Sequence, residues 1–542
     1  MRRFLILLSL LVLSSLPLSE ADAAVYYVDS LNGNDSNDGR SPISALRTLH
    51  ALGSKPLLSG DDALLRSGSV FENQSLYIGW GGTHANWAKL DCYRVNAGNV
   101  AADCVSTDPK PEINGTFQPS CASSGQCAYE NTAAVPSSIW GSLIMVEADY
   151  VSVRNISVKD SAGYPVIFLS RATRPRHHFV LEDVSISHSF QGIVLIGGSY
   201  QHGVVRRVDA SMFGLCELYR YSPCLGAGWP SGITVHDSPQ AMVLIENNVV
   251  HDGYGEGFNC LRSSHVVFRG NRVGNVHSDG YYLDQCSNSV IENNIAWGDL
   301  DNRWGSGGAF AGVNVATEDY PGAGGYSAVD NVIRNNLITG YGACLSSSQW
   351  PEAIARGLKI GFNFYGNSCI GSRIRNVSLY NSTNPTTILV KNNIFYSPFA
   401  TDGSCLAPGS ASITFENNLW DSHSRSSRCY GANDLVDDPK LVTPMSEFGR
   451  FSWSNQPQPR HFGLQASSPA LTRGSIFPSE NKLNSADFAS VIGLLSSDRC
   501  VISNSPLAHD FYCVERQAPP SLGAIDRSKY PPRPPLILSL ER

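Results

Sequence analysis

Charge is scarce in this chain of 542 residues: only 16% are Asp, Glu, Lys or Arg, and the formal net charge is −7. With 42% hydrophobic residues, such a composition excludes a disordered chain, which is charge-rich and poor in apolar surface to bury. No basic stripe is present either, so nucleic acid is not an expected partner, because phosphates require one. No two of the 14 cysteines form a C-x-x-C pair, and a zinc ribbon or thioredoxin-like site therefore has no support. Beyond Leu18 no apolar run reaches the roughly 20 residues of a spanning helix. No helical apolar period crosses the middle of the chain, which excludes a helical solenoid.

What is present begins with Arg2 and Arg3, an apolar run from Phe4 to Leu18, and Ala21-Asp22-Ala23. These are the three parts of a cleaved secretory signal, expected over 1–23. The run is shorter than a membrane anchor, so no membrane contact is expected after cleavage. All cysteines follow this leader and their number is even, which favours disulfides in an oxidising compartment. Cys92 and Cys104, Cys121 and Cys127, Cys216 and Cys224, and Cys500 and Cys513 are near neighbours, although spacing alone does not fix the pairing. The expectation is a secreted or periplasmic monomer.

A short β-rich run ending in an Asn-containing turn recurs: Ile245-Glu246-Asn247-Asn248, Phe268-Arg269-Gly270-Asn271, Ile291-Glu292-Asn293-Asn294, Ile333-Arg334-Asn335-Asn336, Val390-Lys391-Asn392-Asn393 and Phe415-Glu416-Asn417-Asn418. The first three copies are one constant step apart, since 271 − 248 and 294 − 271 both give 23 residues. Weaker copies sit at Asn155, Asp183 and Asp209. Strands this short, at one period, close into a coil whose rungs pair in parallel; a propeller blade needs about 40 residues or more. Stacked Asn amides, each both donor and acceptor, would then link one rung to the next.

These repeats resemble the right-handed parallel β-helix proteins of the pectate-lyase-like superfamily. So does the start, Tyr26-Tyr27-Val28-Asp29 through Gly33-Asn34-Asp35 to Asp38-Gly39-Arg40-Ser41-Pro42. The closing stretches Asp438-Pro439-Lys440-Leu441, Ser467-Ser468-Pro469-Ala470-Leu471 and Leu522-Gly523-Ala524-Ile525-Asp526 are similar as well. The resemblance implies an all-β parallel solenoid: an N-terminal cap region with a cysteine-rich insertion over 24–142, rungs over 143–425 and a C-terminal cap over 426–542. It leaves the chemistry open, since such relatives include lyases, hydrolases, epimerases and binders. The Asn-Thr-Asp, Asp-Asp and Gly-His-Gly signature of the best-known hydrolases is missing, and so is the Asp-Pro-His of mannuronan epimerases.

Aligned by their turns, Ser231-Gly232-Ile233-Thr234-Val235-His236, Glu256-Gly257-Phe258-Asn259-Cys260 and Asp279-Gly280-Tyr281-Tyr282-Leu283-Asp284 stack. Alternation points Ile233, Val235, Phe258, Cys260, Tyr281 and Leu283 inward, and Thr234, His236, Asn259, Tyr282 and Asp284 outward. Glu256 and Asp279, one rung apart, would join a solvent-facing ladder provided they belong to the turn. Such a pair supplies an acid and a base, and with Asp284 it forms the candidate catalytic set; the plain alternative is solvated turn residues. His236, Asn259, His277, Tyr282, Arg303, Trp304 and Lys359 are candidate polysaccharide-binding residues, with Trp229 and Tyr254 alongside. Two excursions, Gly214 to Pro230 and Asp299 to Tyr326 (with Asp301, Glu318 and Asp319), would wall the face. In a lyase, Arg303, Arg356 or Lys359 would take the proton while calcium neutralised a uronate. The loop Asn32 to Asp38 offers oxygens for calcium but lacks EF-hand spacing, and it reads as a turn. Cleavage or modification of a glycan and non-catalytic glycan binding both remain in view.

Overall fold

The computed structural model describes residues 23–474 except 97, 117–118, 122–126, 130–141, 172–173, 219–228, 299–309, 319–324, 381–384, 411, 422–428, 449 and 473; at 119–121, 127–129, 217–218 and 472 it describes backbone alone. One rung runs Val243–Glu246, Val249–Gly253, Glu256–Leu261, and the next opens at Val266–Arg269. Each strand pairs in parallel with its counterpart one rung on, as in Val243↔Val266, Val249↔Arg272 and Phe258↔Tyr281. Repetition produces three long sheets. Sheet 1 has 14 described strands and spans Val25–Val28 to Ile413–Glu416; sheet 2 has 13, from Val70–Glu72 to Leu435–Val436; sheet 3 has 11, from Leu76–Ile78 to Cys405–Leu406. The chain is a right-handed parallel β-helix.

Both residues of the Asn turn have a task. The first takes the left-handed conformation: Asn247 (φ 54°), Asn293 (φ 56°), Asn335 (φ 54°), Asn392 (φ 57°) and Asn417 (φ 54°), with Gly270 and Gly366 in the same place. Asn and Gly tolerate that region best. The second Asn is buried and links rungs. Asn271 Oδ1 accepts from Asn248 N at 2.9 Å and Nδ2 at 3.0 Å, while Asn271 Nδ2 donates to Ile245 O at 2.8 Å. The pattern continues through Asn294, Asn336, Asn367, Asn393 and Asn418. It ends on Asp434, which accepts from Asn418 N at 2.7 Å. The amide ladder expected from the repeat is therefore present. Among the weaker copies, Asn155 and Asp183 also take the left-handed turn, whereas near Asp209 it is Arg207 that does so.

Inside the coil, Ile233, Val235, Phe258, Cys260, Tyr281 and Leu283 all join one continuous apolar core, as alternation requires. Four disulfides lie among the described residues: Cys92–Cys104, Cys260–Cys286, Cys344–Cys369 and Cys405–Cys429. Only the first joins an expected pair of neighbours; the other three bridge positions 24–26 residues apart. Cys216 is also bonded, its expected partner Cys224 lying outside the described residues, as do Cys500, Cys513 and residues 1–22 of the expected 1–23 leader. Bonds of this number belong to an oxidising compartment. No described helix is long and apolar enough to cross a membrane.

Two expectations need correction. The coil does not start near 143, because strands Val25–Val28, Asp62–Arg66 and Glu112–Asn114 already lie in its sheets; these early rungs simply lack the Asn pair. Nor does the C-terminal segment merely stopper the open end. Its residues Leu441, Phe448, Phe451, Phe462 and Leu464 lie on the outer face of sheet 2, against Ile295, Trp297, Leu337, Ile370 and Ile394. Arg272 fastens the far end, donating to Gln456 Oε1 at 2.9 Å and Pro457 O at 2.9 Å. An apolar outer face must be covered, and this chain covers it with its own tail.

Candidate functional site

In four successive rungs the sheet 3 segment opens with a residue before a glycine: Ser231, Glu256, Asp279 and Ala311. Ser231 pairs with Glu256, Gly257 N donates to Asp279 O at 2.9 Å, and Gly280 N donates to Ala311 O at 2.9 Å. Glu256 and Asp279 are thus successive steps of one row, about 4.8 Å apart at backbone level. Strict alternation would turn both inward, and glycine resolves this. A Cβ at Gly257 would collide with the core side chain of Val273, and one at Gly232 with Val250, so glycine and the apolar residue after it both face inward. The residue before it is left facing outward.

The outward row beside the pair is Thr234, Asn259, Tyr282 and Asn314, in continuous register. Glu256 Oε2 accepts from Ser231 Oγ at 2.7 Å, and Asn259 Nδ2 donates to the same hydroxyl at 3.3 Å. Asp279 accepts from Ala311 N at 2.7 Å and Asn314 Nδ2 at 3.0 Å. Tyr282 donates to Glu318 Oε1 at 2.5 Å. The expected solvent-facing ladder is overturned: Glu256 and Asp279 are each only 4% exposed and make separate contacts, one to the rung before, the other to the rung after.

Enclosure sets the electrostatics. Burial pushes the Glu256 carboxyl up to about 8; the Ser231 hydroxyl opposes this and the charges of Asp279 and Glu318 add to it. Burial likewise pushes Asp279 up to about 7, against its bonds from Asn314 and Ala311. Three atoms in the outward row are buried without a hydrogen-bond partner: Thr234 Oγ1, Asn259 Oδ1 and Asn314 Oδ1. Buried polar groups are normally paired, so this row holds unused hydrogen-bonding capacity. At its edge Trp229, 48% exposed, stands 5.8 Å from Tyr254 and 6.1 Å from His277, and those two rings stack at 4.0 Å.

Other expected residues lie apart. Asp284 is fully buried at the opposite end of its strand, where Oδ1 accepts from Glu318 N at 2.9 Å. His236 is at the same far end, about 16 Å from Ser231 by strand rise, bonded to Arg262 at 2.6 Å. Arg356 and Lys359 are exposed on the connection that leads into the sheet 1 strand Ile360–Tyr365. Arg303 and Trp304 lie outside the described residues. Asn314 and Ser231 were not anticipated as site residues. Asn314 was hidden because the second excursion stretches the step from Tyr282 to 32 residues, and only the paired register restores it.

The loop Asn32 to Gly39 is built of side-chain-capped turns, as its sequence suggests. Asp35 Oδ1 accepts from Arg47 N and Thr48 N at 2.8 and 2.9 Å, and Asp38 Oδ1 accepts from Arg40 N at 3.0 Å, so their oxygens are used in turns. Among the described residues no group of three or more His, Cys, Asp and Glu is arranged to hold a metal. A separate cleft of about 360 Å³, lined by Leu57, Trp80, Asp149 and Arg176 among others, shares no residue with sheet 3's polar row.

A family model described as a right handed beta helix region matches residues 141–298. Among solved structures, pectate lyase Pel9A is 14% identical, with 94% of this chain and 97% of that one covered, at a TM-score of 0.51. A rhamnogalacturonan lyase is 15% identical over 82% of this chain and 97% of its own, TM-score 0.49. The lacto-N-biosidase of Eubacterium ramulus is 16% identical over 72% and 68%, TM-score 0.42. At such identities the likeness is one of fold. No curated protein matches the chain in sequence.

Proposed function

We propose that this right-handed parallel β-helix protein is exported, binds a glycan along the outer face of sheet 3, and cleaves it with Glu256 and Asp279 as acid and base. One observation carries the reading: two carboxyls on successive rungs are enclosed in a polar row, and burial brings both titrations close to neutrality. Two neighbouring carboxyls whose titrations burial moves up toward neutrality can supply an acid and a base between them, as acid–base cleavage needs. Trp229 and the underused polar atoms offer a ring-stacking surface and hydroxyl partners beside it. The pectate lyase that shares the fold over nearly its whole length is named for a glycan substrate, which supports the substrate class without fixing it. The disulfides support a secreted or periplasmic destination.

The test is a polysaccharide panel with product analysis for the wild type, Glu256→Gln and Asp279→Asn. The wild type should cleave at least one member, and each variant should be about 10²–10⁴-fold slower while still folded. The low exposure of both carboxyls favours a second reading, in which sheet 3 holds a glycan without cutting it. Binding without turnover by the wild type, unchanged in both variants, would establish that alternative.

A further inference from the structure

We infer that the fold carries a binding site for its own mature N-terminus. Removal of the leader after Ala23 turns the Ala24 nitrogen into an ammonium ion, and Asp61 holds that ion at the first strand of the coil. This goes beyond the reading of sheet 3 and rests only on the export proposed with it.

Two independent observations meet on one atom. In the sequence, Ala21-Asp22-Ala23 follows the apolar run and sets the scissile bond between Ala23 and Ala24, because a signal peptidase selects small residues at the first and third positions before its cut. In the structure, the nitrogen on the far side of that bond is already held by a carboxylate: Ala24 N donates to Asp61 Oδ1 at 2.8 Å. Ala23 is exposed, whereas Ala24 is half-buried against the apolar core. The chain therefore passes from solvent into the coil at this one peptide bond, where a protease can reach it.

Asp61 is built into the fold at that point. It is only 3% exposed and closes a tight turn, its N–H donating to Leu58 O at 3.2 Å. Its Oδ2 accepts from Leu58 N at 2.8 Å, which fixes the plane of the carboxylate and aims Oδ1 at Ala24. The surrounding backbone is pinned as well: Asp62 N donates to Ala24 O at 2.8 Å, and Trp80 Nε1 donates to Asp61 O at 3.2 Å. Parallel pairing of Val25–Val28 with Asp62–Arg66 starts at the next residue. The carboxylate thus stands where the first strand enters sheet 1.

Processing is hydrolysis of one peptide bond by a signal peptidase. A water oxygen bonds to the Ala23 carbonyl carbon, the bond from that carbon to the Ala24 nitrogen breaks, and the nitrogen keeps the electron pair. Both hydrogens of the water pass to that nitrogen, which leaves the leader as a carboxylate and Ala24 as an ammonium. The donor stays in place, but a neutral amide has become a cation. A hydrogen bond between ions is roughly twice as strong as one between neutral groups, and enclosure strengthens the attraction further. The first rung of the mature chain is therefore held harder than that of the precursor.

The experiment expresses the full chain with its leader and reads the exported product by intact mass and N-terminal sequencing; Ala24 is the expected first residue. Hydrogen exchange then compares the mature protein with the same protein acetylated at its α-amine, which keeps an N–H but loses the charge. Acetylation should speed exchange at Val25–Val28 and Asp62–Arg66 by at least about fivefold and leave the later rungs unchanged. In Asp61→Asn the same acetylation should have no effect, and the wild-type comparison decides the matter even where that variant folds poorly. A retained leader would contradict the export reading together with this inference. A cut at another bond, or equal exchange with and without the acetyl group, would overturn the inference alone.

Discussion

Asn294 shows how much one side chain does in this coil. Its Oδ1 accepts from Asn271 N at 2.8 Å and Nδ2 at 3.2 Å, and its Nδ2 donates to Phe268 O at 3.0 Å and Asn336 Oδ1 at 3.0 Å. Asn294→Ala strands several buried groups, each costing about 1–3 kcal/mol, so we predict a loss of about 3 kcal/mol in denaturant titration; a loss below about 1 kcal/mol would mean water replaces the amide. Glu256 and Glu292 make opposite predictions. Glu256 has a raised folded-state pKa, so the folded state holds its proton more tightly, and stability is lost as pH rises from the ordinary carboxyl value through about 8. Glu256→Gln should therefore gain on the wild type between pH 5 and 9 in thermal melts, and a constant difference would contradict this. Glu292 is buried, yet Arg334 and Arg269 hold its pKa down to about 2. Its contribution is present above the ordinary value and fades as pH falls toward 2, so the deficit of Glu292→Gln should be largest near neutrality and shrink in acid.

At the scale of elements, sheet 1 carries a second ladder, displayed in the repeat motif itself. Over four successive rungs the residue before the Asn turn alternates in sign: Glu246, Arg269, Glu292 and Arg334 stand in register. Arg269 and Arg334 both bind Glu292, at 2.6 and 2.7 Å. A one-rung slip would set like charges together, so the ladder helps specify pairing. The Asn turns and the inward residues were legible because each obeys a local rule. The tail's course along sheet 2 was not, since its partners are nearly 200 residues away, as Arg272 and Gln456 are. His251 helps secure that tail: its ring stacks on Trp453 at 3.4 Å, and although burial works the other way, Asp209 and Asp252 raise its pKa. Such a group contributes below the ordinary imidazole value and loses that contribution as pH rises through its folded-state value. Trp453→Ala should lower stability by about 2 kcal/mol and speed proteolysis within 434–474; unchanged digestion would show the tail is held elsewhere.

For the whole molecule, the one-dimensional fold decides where chemistry can lie, because every rung offers the same three faces. Sheet 1's outer face carries ion pairs beside an apolar row of Val204, Leu244, Val267 and Val290, and sheet 2's carries the tail, whereas sheet 3's polar row keeps unpartnered atoms. The sequence placed Glu256 and Asp279 in adjacent rungs from spacing alone. It did not reveal their enclosure, which depends on Ser231 and Asn314 arriving from neighbouring rungs at unequal steps. Nor did it separate Asp284 and His236 from them, since residues on one strand look equally near until the roughly 16 Å along it is counted. The account is tested most directly by a crystal structure of Glu256→Gln with an oligosaccharide of the glycan that the wild type binds most tightly. A sugar chain along sheet 3, its hydroxyls donating to Asn259 Oδ1 and Asn314 Oδ1 and a glycosidic bond between residues 256 and 279, is the predicted result. A chain seated instead in the cleft of Trp80, Asp149 and Arg176, with sheet 3 bare, would contradict it.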